Sequence, residues 1–358
     1  MSNTKEVIIF VGGGTKGHLF PAVAIGDILQ NEYKKTSIII TDIPDAQSTT
    51  LLKVVTIPRM TTKVSLVSKV ILLWNMAHTL FKLLYMYAKY RPKLIVGFGG
   101  FTTFVPLLAA VILRIPIIIH EQNSVLGKVN EIMARYAYKI SLGFFDALTL
   151  PEKYVHKCVF NKNPVRKEIK FQKKPKNRSQ KYSILTIGGS QGAKAFDTII
   201  PSAIKHLRTT DAKTNLKISQ QASKDQHQHL QDFYQKLSVE CQTEEFFLDM
   251  TTKYNESDLV ICRSGASTIE ELVALNKPSI LIPLPTSAKN HQSINAQYLE
   301  NLGCAWRIEQ DDNCVQMLSA LLLCILQNPA MLTDMSCRLL HLKNKSRNNL
   351  KDAIIKAL

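Results

Sequence analysis

The apolar run Val7–Val11 passes directly into Gly12-Gly13-Gly14-Thr15-Lys16-Gly17-His18, and the same order returns at residues 183–187, which pass into Gly188-Gly189-Ser190-Gln191-Gly192-Ala193. A short run that is apolar throughout suits a strand buried on both faces of a parallel sheet. A glycine turn behind it lets the chain reverse into a helix whose first amides face whatever the turn approaches. Finding this unit twice constrains the fold more than any other feature. It predicts an α/β protein of two Rossmann-like halves, each with its site at the carboxyl ends of parallel strands. Residues 161–182 hold Asn163-Pro164-Val165-Arg166 and then FQKKPKNRSQKY, a lysine-rich, proline-broken stretch that reads as the linker. The expected domains are residues 1–160 and 161–342, with a last helix at about 343–358 packing back on the first domain. A chain of 358 residues can support two such cores.

In the first half, Pro21 is expected to open a helix to about Leu29, and strands are expected at residues 37–41, 93–98 and 115–119. His120-Glu121-Gln122-Asn123 then follows the last of these strands directly, where an open α/β sheet places its ligands. Gly12, Gly14 and Gly17 also match G-x-G-x-x-G, with Asp42 after the next strand. That is the dinucleotide fingerprint, so a nicotinamide-dependent oxidoreductase is the rival reading. The second glycine turn speaks against it, because an ordinary dehydrogenase pairs one such domain with a catalytic domain of different pattern. The second turn lacks the Gly-Lys-Ser/Thr of a phosphate-binding loop, so nucleotide triphosphate hydrolysis is not indicated.

The second half is expected to continue with strands at 216–219 and 245–248, a helix at 224–237, and then residues 258–295. There an apolar run, 259–262, meets the turn Arg263-Ser264-Gly265-Ala266. Ser267 or Thr268 is placed to cap the next helix, with Glu270 and Glu271 in its first turn. Such a unit offers amides to a phosphate and a carboxylate to ribose hydroxyls. Taken by itself, the segment reads more simply as a helix that is merely capped.

The net charge of +17 calls for an acidic partner: nucleic acid, anionic lipid or a phosphorylated substrate. No RNA-recognition signature, zinc finger or aromatic–basic interleaving supports nucleic acid. The seven cysteines are scattered without a Cys-x-x-Cys pair and read as reduced cytosolic thiols. Met1 to Lys5 lead straight into the first strand, so no signal peptide is expected. There is no Asp-x-Asp, hence no signal for a catalytic divalent cation. Residues 64–90 are unusually apolar, but their longest uncharged stretch, 70–81, is short of the ~20 residues a spanning helix needs. The segment reads either as a core helix with solvent-facing lysines or as an interfacial patch. In the second reading Trp74, Leu80, Phe81 and Leu84 enter lipid while Lys63, Lys69, Lys82, Lys89 and Arg91 meet anionic head groups.

Gly13-Gly14-Thr15-Lys16-Gly17-His18, His120-Glu121-Gln122-Asn123, Asn163-Pro164-Val165-Arg166, Gly188-Gly189-Ser190-Gln191-Gly192-Ala193, Arg263-Ser264-Gly265-Ala266 and His291-Gln292 with Asn295-Ala296 stand in one order along nearly the whole chain. In this the sequence resembles the MurG family of bacterial N-acetylglucosaminyltransferases. The resemblance implies a GT-B glycosyltransferase fold, two Rossmann-like domains facing across a cleft that closes about the linker. It implies transfer of GlcNAc from UDP-GlcNAc to the MurNAc 4-hydroxyl of undecaprenyl-diphospho-MurNAc-pentapeptide (lipid I). The product is lipid II, formed with inversion and without a cofactor, at the cytoplasmic face of the plasma membrane. Position by position, it sets Thr15, Lys16, Gly17 and His18 against the diphosphate and the acceptor, and Asn123 against the donor sugar. Arg166 and Ser190 fall on the diphosphate side. Phe247 and the turn Ala266, Ser267, Thr268, Ile269, Glu270 and Glu271 hold uridine, with Glu271 on the ribose, and Gln292 reads the GlcNAc hydroxyls. His18 and Glu121 are the candidates for general base. His18 ranks first, because an ordinary imidazole is largely neutral at working pH. The sequence departs from the family at Lys16-Gly17 (usually Gly-Gly), at Phe247-Leu248 (often Ile-Asp) and in a short segment 42–60.

Overall fold

The computed structural model describes residues 6–59, 66–144, 151–165, 169, 181–188, 194–211, 214–345 and 348–358. The chain divides into two compact units, one of Met1–Arg166 with Arg347–Leu358, the other of Lys167–Ser346.

In the first unit β1 (Val7–Val11), α1 (Lys16–Tyr33), β2 (Thr36–Thr41) and β3 (Lys53–Thr56) are followed by α2 (Leu66–Tyr90), β4 (Leu94–Gly97) and α3 (Phe104–Ile112). Then come β5 (Ile117–Glu121), α4 (Lys128–Met133), β6 (Lys139–Leu142) and β7 (Cys158–Lys162). The second unit holds β8 (Tyr182–Ile187), α5 (Phe196–Thr210), β9 (Leu216–Gln221), α6 (His227–Lys236), β10 (Glu240–Glu244), α7 (Met250–Glu256) and β11 (Leu259–Cys262). It continues through α8 (Ala266–Leu275), β12 (Ser279–Leu281), α9 (His291–Asn301), β13 (Trp306–Arg307), α10 (Cys314–Gln327) and α11 (Ala330–Asn344). Two short elements, β14 (Asn348–Asn349) and α12 (Leu350–Ile355), return to the first unit.

Both sheets are parallel throughout. The first has the order β14-β7-β6-β5-β4-β1-β2-β3, the second β10-β9-β8-β11-β12-β13. Alternate residues of each central strand feed opposite faces. Ile9, Val11, Ile38, Ile40, Ile95, Ile117 and Ile119 pack under α2 and α3 through Leu83, Tyr87, Val105 and Leu107. Ile8, Phe10, Ile39, Val96 and Ile118 face the other way, onto Leu19, Ala22, Ile25 and Leu29 of α1 and onto Leu350 and Ile354 of α12. Both faces are covered, which is why these strands read as unbroken apolar runs.

Several local expectations are corrected. Helix α1 begins at Lys16, not Pro21, which lies inside it. Pro21 is the sixth residue of the helix, past the amides that lack intrahelical partners, so its missing N–H leaves the Gly17 carbonyl without the usual i+4 donor. Strand β5 extends through His120 and Glu121, so these two close the strand rather than follow it. Strand β10 ends at Glu244, and Phe247 lies in the loop beyond it.

Candidate active site

The first unit gathers two glycine turns at the carboxyl ends of adjacent strands, β1 and β4. Gly14 has φ +77°, and Gly99 and Gly100 have φ of +80° and +81°, backbone that favours glycine. Contact reinforces conformation. A Cβ on Gly13 would lie 2.3 Å from Asp42 Oδ1, and one on Gly100 would lie 3.0 Å from the Gly13 carbonyl oxygen and 3.3 Å from His18 Nδ1. His18 sits in the first turn of α1 against this wall. Its Nδ1 is 3.1 Å from the carbonyl oxygen of Gly13, an obligate acceptor, so Nδ1 carries the ring proton and Nε2 the lone pair. Thr15, at the N-cap position, makes no capping bond; its hydroxyl stands 3.1 Å from the same Nδ1. Lys16 and Gly17 open the helix, whose first turn carries no acidic residue, so the positive end of α1 is uncompensated there. The side chain of Lys16 lies outside the described residues.

Asp42 is buried, and its Oδ1 accepts the Gly14 N–H at 2.7 Å. The acid that a dinucleotide fingerprint would turn toward a ribose here anchors the glycine turn instead.

Glu121 is 3% exposed and saturated with donors. Oε1 accepts from Asn123 N (3.1 Å) and Asn123 Nδ2 (3.2 Å), and Oε2 accepts from Gly127 N (2.9 Å) and Asn130 Nδ2 (2.8 Å). A carboxylate has about four acceptor positions, and all are engaged in holding loop 122–127 and Asn123. Of the two base candidates, Glu121 is thus the one whose carboxylate is committed to positioning its loop.

Behind this loop runs a buried polar chain with a defined direction. Asn161 Nδ2 donates to Ser141 Oγ (2.7 Å), Ser141 Oγ to His120 Nδ1 (2.7 Å), His120 Nε2 to Asn163 Oδ1 (3.0 Å), and Asn163 Nδ2 to the Gln122 carbonyl (3.0 Å). Burial pushes the His120 imidazole down to about 4, so it is neutral at physiological pH. A Cβ on Gly143 would lie 2.3 Å from Asn163 Oδ1, which explains the glycine after β6. This chain went unread in the sequence, since its members lie on three different strands and the segment after β7.

In the second unit, Gly265 is the N-cap of α8 and no side chain caps the helix. Ser267 and Thr268 fall inside the first turn, and Glu270 and Glu271 lie in the second. The expected cap and first-turn carboxylates are thereby corrected. The amides of Ala266, Ser267 and Thr268 remain as the helix's orphan donors, and Ile269 closes the first turn onto the Gly265 carbonyl at 3.0 Å. Glu270 and Glu271 are each 7% exposed, and Glu271 Oε2 accepts from the Tyr254 hydroxyl at 2.9 Å. Tyr254, on α7, carried no sequence signal. Arg263 is structural: it donates to the carbonyls of Ile282 and Pro283 (3.0 Å each) and to Gln310 Oε1 (2.7 Å), and it stacks over Phe196. Gln292 Oε1 accepts the Leu284 N–H at 3.0 Å, and its NH₂ has no hydrogen-bond partner among the described residues. Phe247 is buried under Lys253, whereas Phe246 and Leu248 beside it are exposed. Arg166 and Ser190 lie outside the described residues.

Comparison with known proteins covers both units. Residues 8–142 match the glycosyltransferase family 28 N-terminal domain and residues 183–354 its C-terminal domain. A Rickettsia bellii protein is 36% identical, spanning 97% of this chain and 98% of its own. Its name is UDP-N-acetylglucosamine–N-acetylmuramyl-(pentapeptide) pyrophosphoryl-undecaprenol N-acetylglucosamine transferase. A Rickettsia felis protein of the same name is also 36% identical over 97% of this chain and 98% of its own. Among solved structures, Acinetobacter baumannii MurG aligns with a TM-score of 0.77 and 25% identity, covering 98% of each chain. The kitacinnamycin glycosyltransferase shares the fold, with a TM-score of 0.72 at 16% identity over 99% of each chain.

Proposed function

The chain belongs to glycosyltransferase family 28, and on that premise we infer that it transfers N-acetylglucosamine from UDP-GlcNAc to lipid I, forming lipid II for peptidoglycan. The observation that carries the assignment is that both halves match the family while relatives spanning 97% of the chain bear this activity in their names. The two sheets are those of a GT-B glycosyltransferase. The oxidoreductase alternative is not supported, and the engagement of Asp42 by Gly14 removes its physical basis.

The second unit is the donor half. The amides at the start of α8 and the loop after β10 take the uridine, Glu271 takes the ribose hydroxyls, and Gln292 offers its NH₂ to the sugar. Arg166 and Ser190 belong to the diphosphate side by the family's pattern. The first unit is the acceptor half, where the positive start of α1 faces the acceptor diphosphate. In one in-line displacement the MurNAc O4–H proton passes to His18 Nε2 as O4 bonds to the sugar's anomeric carbon. The bond from that carbon to the UDP oxygen breaks, UDP leaves with the electron pair, and the α-linkage becomes β. His18 is suited to the step because the Gly13 carbonyl fixes its tautomer with the lone pair on Nε2. Glu121 supports Asn123 and its loop.

No single helix among the described residues is long and apolar enough to cross a membrane. The acceptor is a membrane lipid, and α2 offers the surface to reach it. Val70, Trp74, Phe81 and Tyr85 recur at helical spacing and are 68–74% exposed, while Leu83 and Tyr87 on the opposite side enter the core. Lys69, Lys82, Lys89 and Arg91 are exposed around that stripe. This is the make-up of a helix lying in an anionic interface. The whole reading is tested by incubating the protein with UDP-GlcNAc and a lipid I analogue and assigning the anomer of the product. A β-1,4-linked disaccharide is expected; no transfer would refute the function, and an α-linked product the displacement.

A further inference from the structure

Tyr254 is 0% exposed, yet it brings a hydroxyl to the interior, and that hydroxyl donates to Glu271 Oε2 at 2.9 Å. A buried phenol spent on a carboxylate needs a reason, because a phenylalanine fills the same space without the polar group. The surroundings fix the phenol in turn. Ser257 Oγ donates to the Tyr254 carbonyl at 2.9 Å, and the buried Lys277 ammonium holds the carbonyls of Asn255 (3.4 Å) and Ser257 (2.9 Å). Lys277 follows α8, so these bonds tie the end of α7 to the end of the helix that carries Glu271.

We propose that Tyr254 is a positioning residue for the nucleotide donor: it locks the Glu271 carboxylate in the rotamer that meets the ribose hydroxyls, and so sets the preference for a ribonucleotide. This rests on the reading of Glu271 as the ribose ligand. Tyr254 itself touches no substrate. A free carboxylate rotates about its side-chain torsions, and ordering it on each binding event costs affinity. The O–H···O⁻ bond meets that cost during folding.

The experiment measures binding of UDP and of 2′,3′-dideoxy-UDP to the whole protein, alongside KM and kcat for UDP-GlcNAc. The variants are Tyr254→Phe, Glu271→Ala and the double variant. Glu271→Ala should abolish the preference for UDP over the dideoxy analogue. Tyr254→Phe should reduce that preference about five- to tenfold and raise KM with kcat nearly unchanged, and it should add nothing to Glu271→Ala. Glu271→Asp keeps the phenol but draws the carboxylate one methylene away from it, and should lose the preference to a similar extent. If Tyr254→Phe or Glu271→Asp keeps the full preference while Glu271→Ala loses it, the positioning role is overturned and the donor reading stands. If Glu271→Ala keeps the preference, the ribose reading falls and the role of Tyr254 falls with it.

Discussion

Replacing Trp74 and Phe81 by serine should detach the protein from vesicles without unfolding it. The two rings are 74% and 71% exposed. An aromatic side chain carries on the order of 200 Å² of surface, so each ring offers about 150 Å² to lipid. At about 25 cal/mol/Å² this is worth roughly 3–4 kcal/mol per ring when fully inserted, and about 2 kcal/mol if half of it enters. Losing both at half insertion lowers partitioning about a thousandfold. The charges act separately. Each lysine near an anionic surface contributes about 1 kcal/mol, so changing Lys69, Lys82 and Lys89 to glutamate should cost at least about 3 kcal/mol, and this part should vanish in high salt. The assay is sedimentation with phosphatidylglycerol or phosphatidylcholine vesicles at two salt concentrations, with thermal unfolding as the control. The stripe faces away from Leu83, Met86 and Tyr87, so stability should hardly change. Equal binding to both lipids, indifferent to salt and to the two rings, would show that α2 is a plain core helix.

Glu271→Ala should weaken UDP-GlcNAc by about 1–3 kcal/mol in isothermal titration; unchanged affinity in a folded variant would remove Glu271 from the ribose. His18→Ala should lower kcat about 10²–10⁴-fold with donor affinity and thermal stability kept. Glu121→Ala leaves four donors without their carboxylate and should cost about 3 kcal/mol or more of stability. Near-normal turnover of the His18 variant with a stable but inactive Glu121 variant would reverse their roles. Transfer should persist in EDTA, since the chain lacks an Asp-x-Asp pair; activity abolished by EDTA and restored only by magnesium or manganese would contradict this. Because burial holds His120 down to about 4 while the unfolded chain binds its proton near 6.5, unfolding takes up protons below that pH. Stability contributed by the neutral ring is complete above 6.5 and declines by about 3 kcal/mol as pH falls toward 4. Unfolding midpoints across that range should flatten in His120→Asn; an unchanged slope would assign the pH dependence elsewhere.

The strands and glycine turns were legible because both are local. A strand buried on two faces must be apolar at every position, and a turn with positive φ favours glycine, as at Gly14, the more so where it is pressed against a neighbouring backbone, as at Gly100. The family was legible for the same reason, since its motifs are short runs, most of them at strand ends. Helix α2 shows where this stops. Its composition fits a core helix and an interfacial helix equally, and only packing of Leu83 and Tyr87 against the sheet leaves Trp74 and Phe81 outside.

What residues do, once brought together, belonged to the tertiary structure. Glu121 reads in sequence as a possible base, and in space it is the acceptor for four N–H groups. Asp42 reads as a ribose ligand, and in space it holds the Gly14 amide. Tyr254 reads as nothing at all, and in space it touches Glu271. The physical reason is common to the three. A polar side chain taken out of water must find a partner, and in a parallel sheet the partner comes from a neighbouring strand or helix far along the chain. Periodicity encodes which face a residue occupies; it carries nothing about which distant donor or acceptor the fold will set against it.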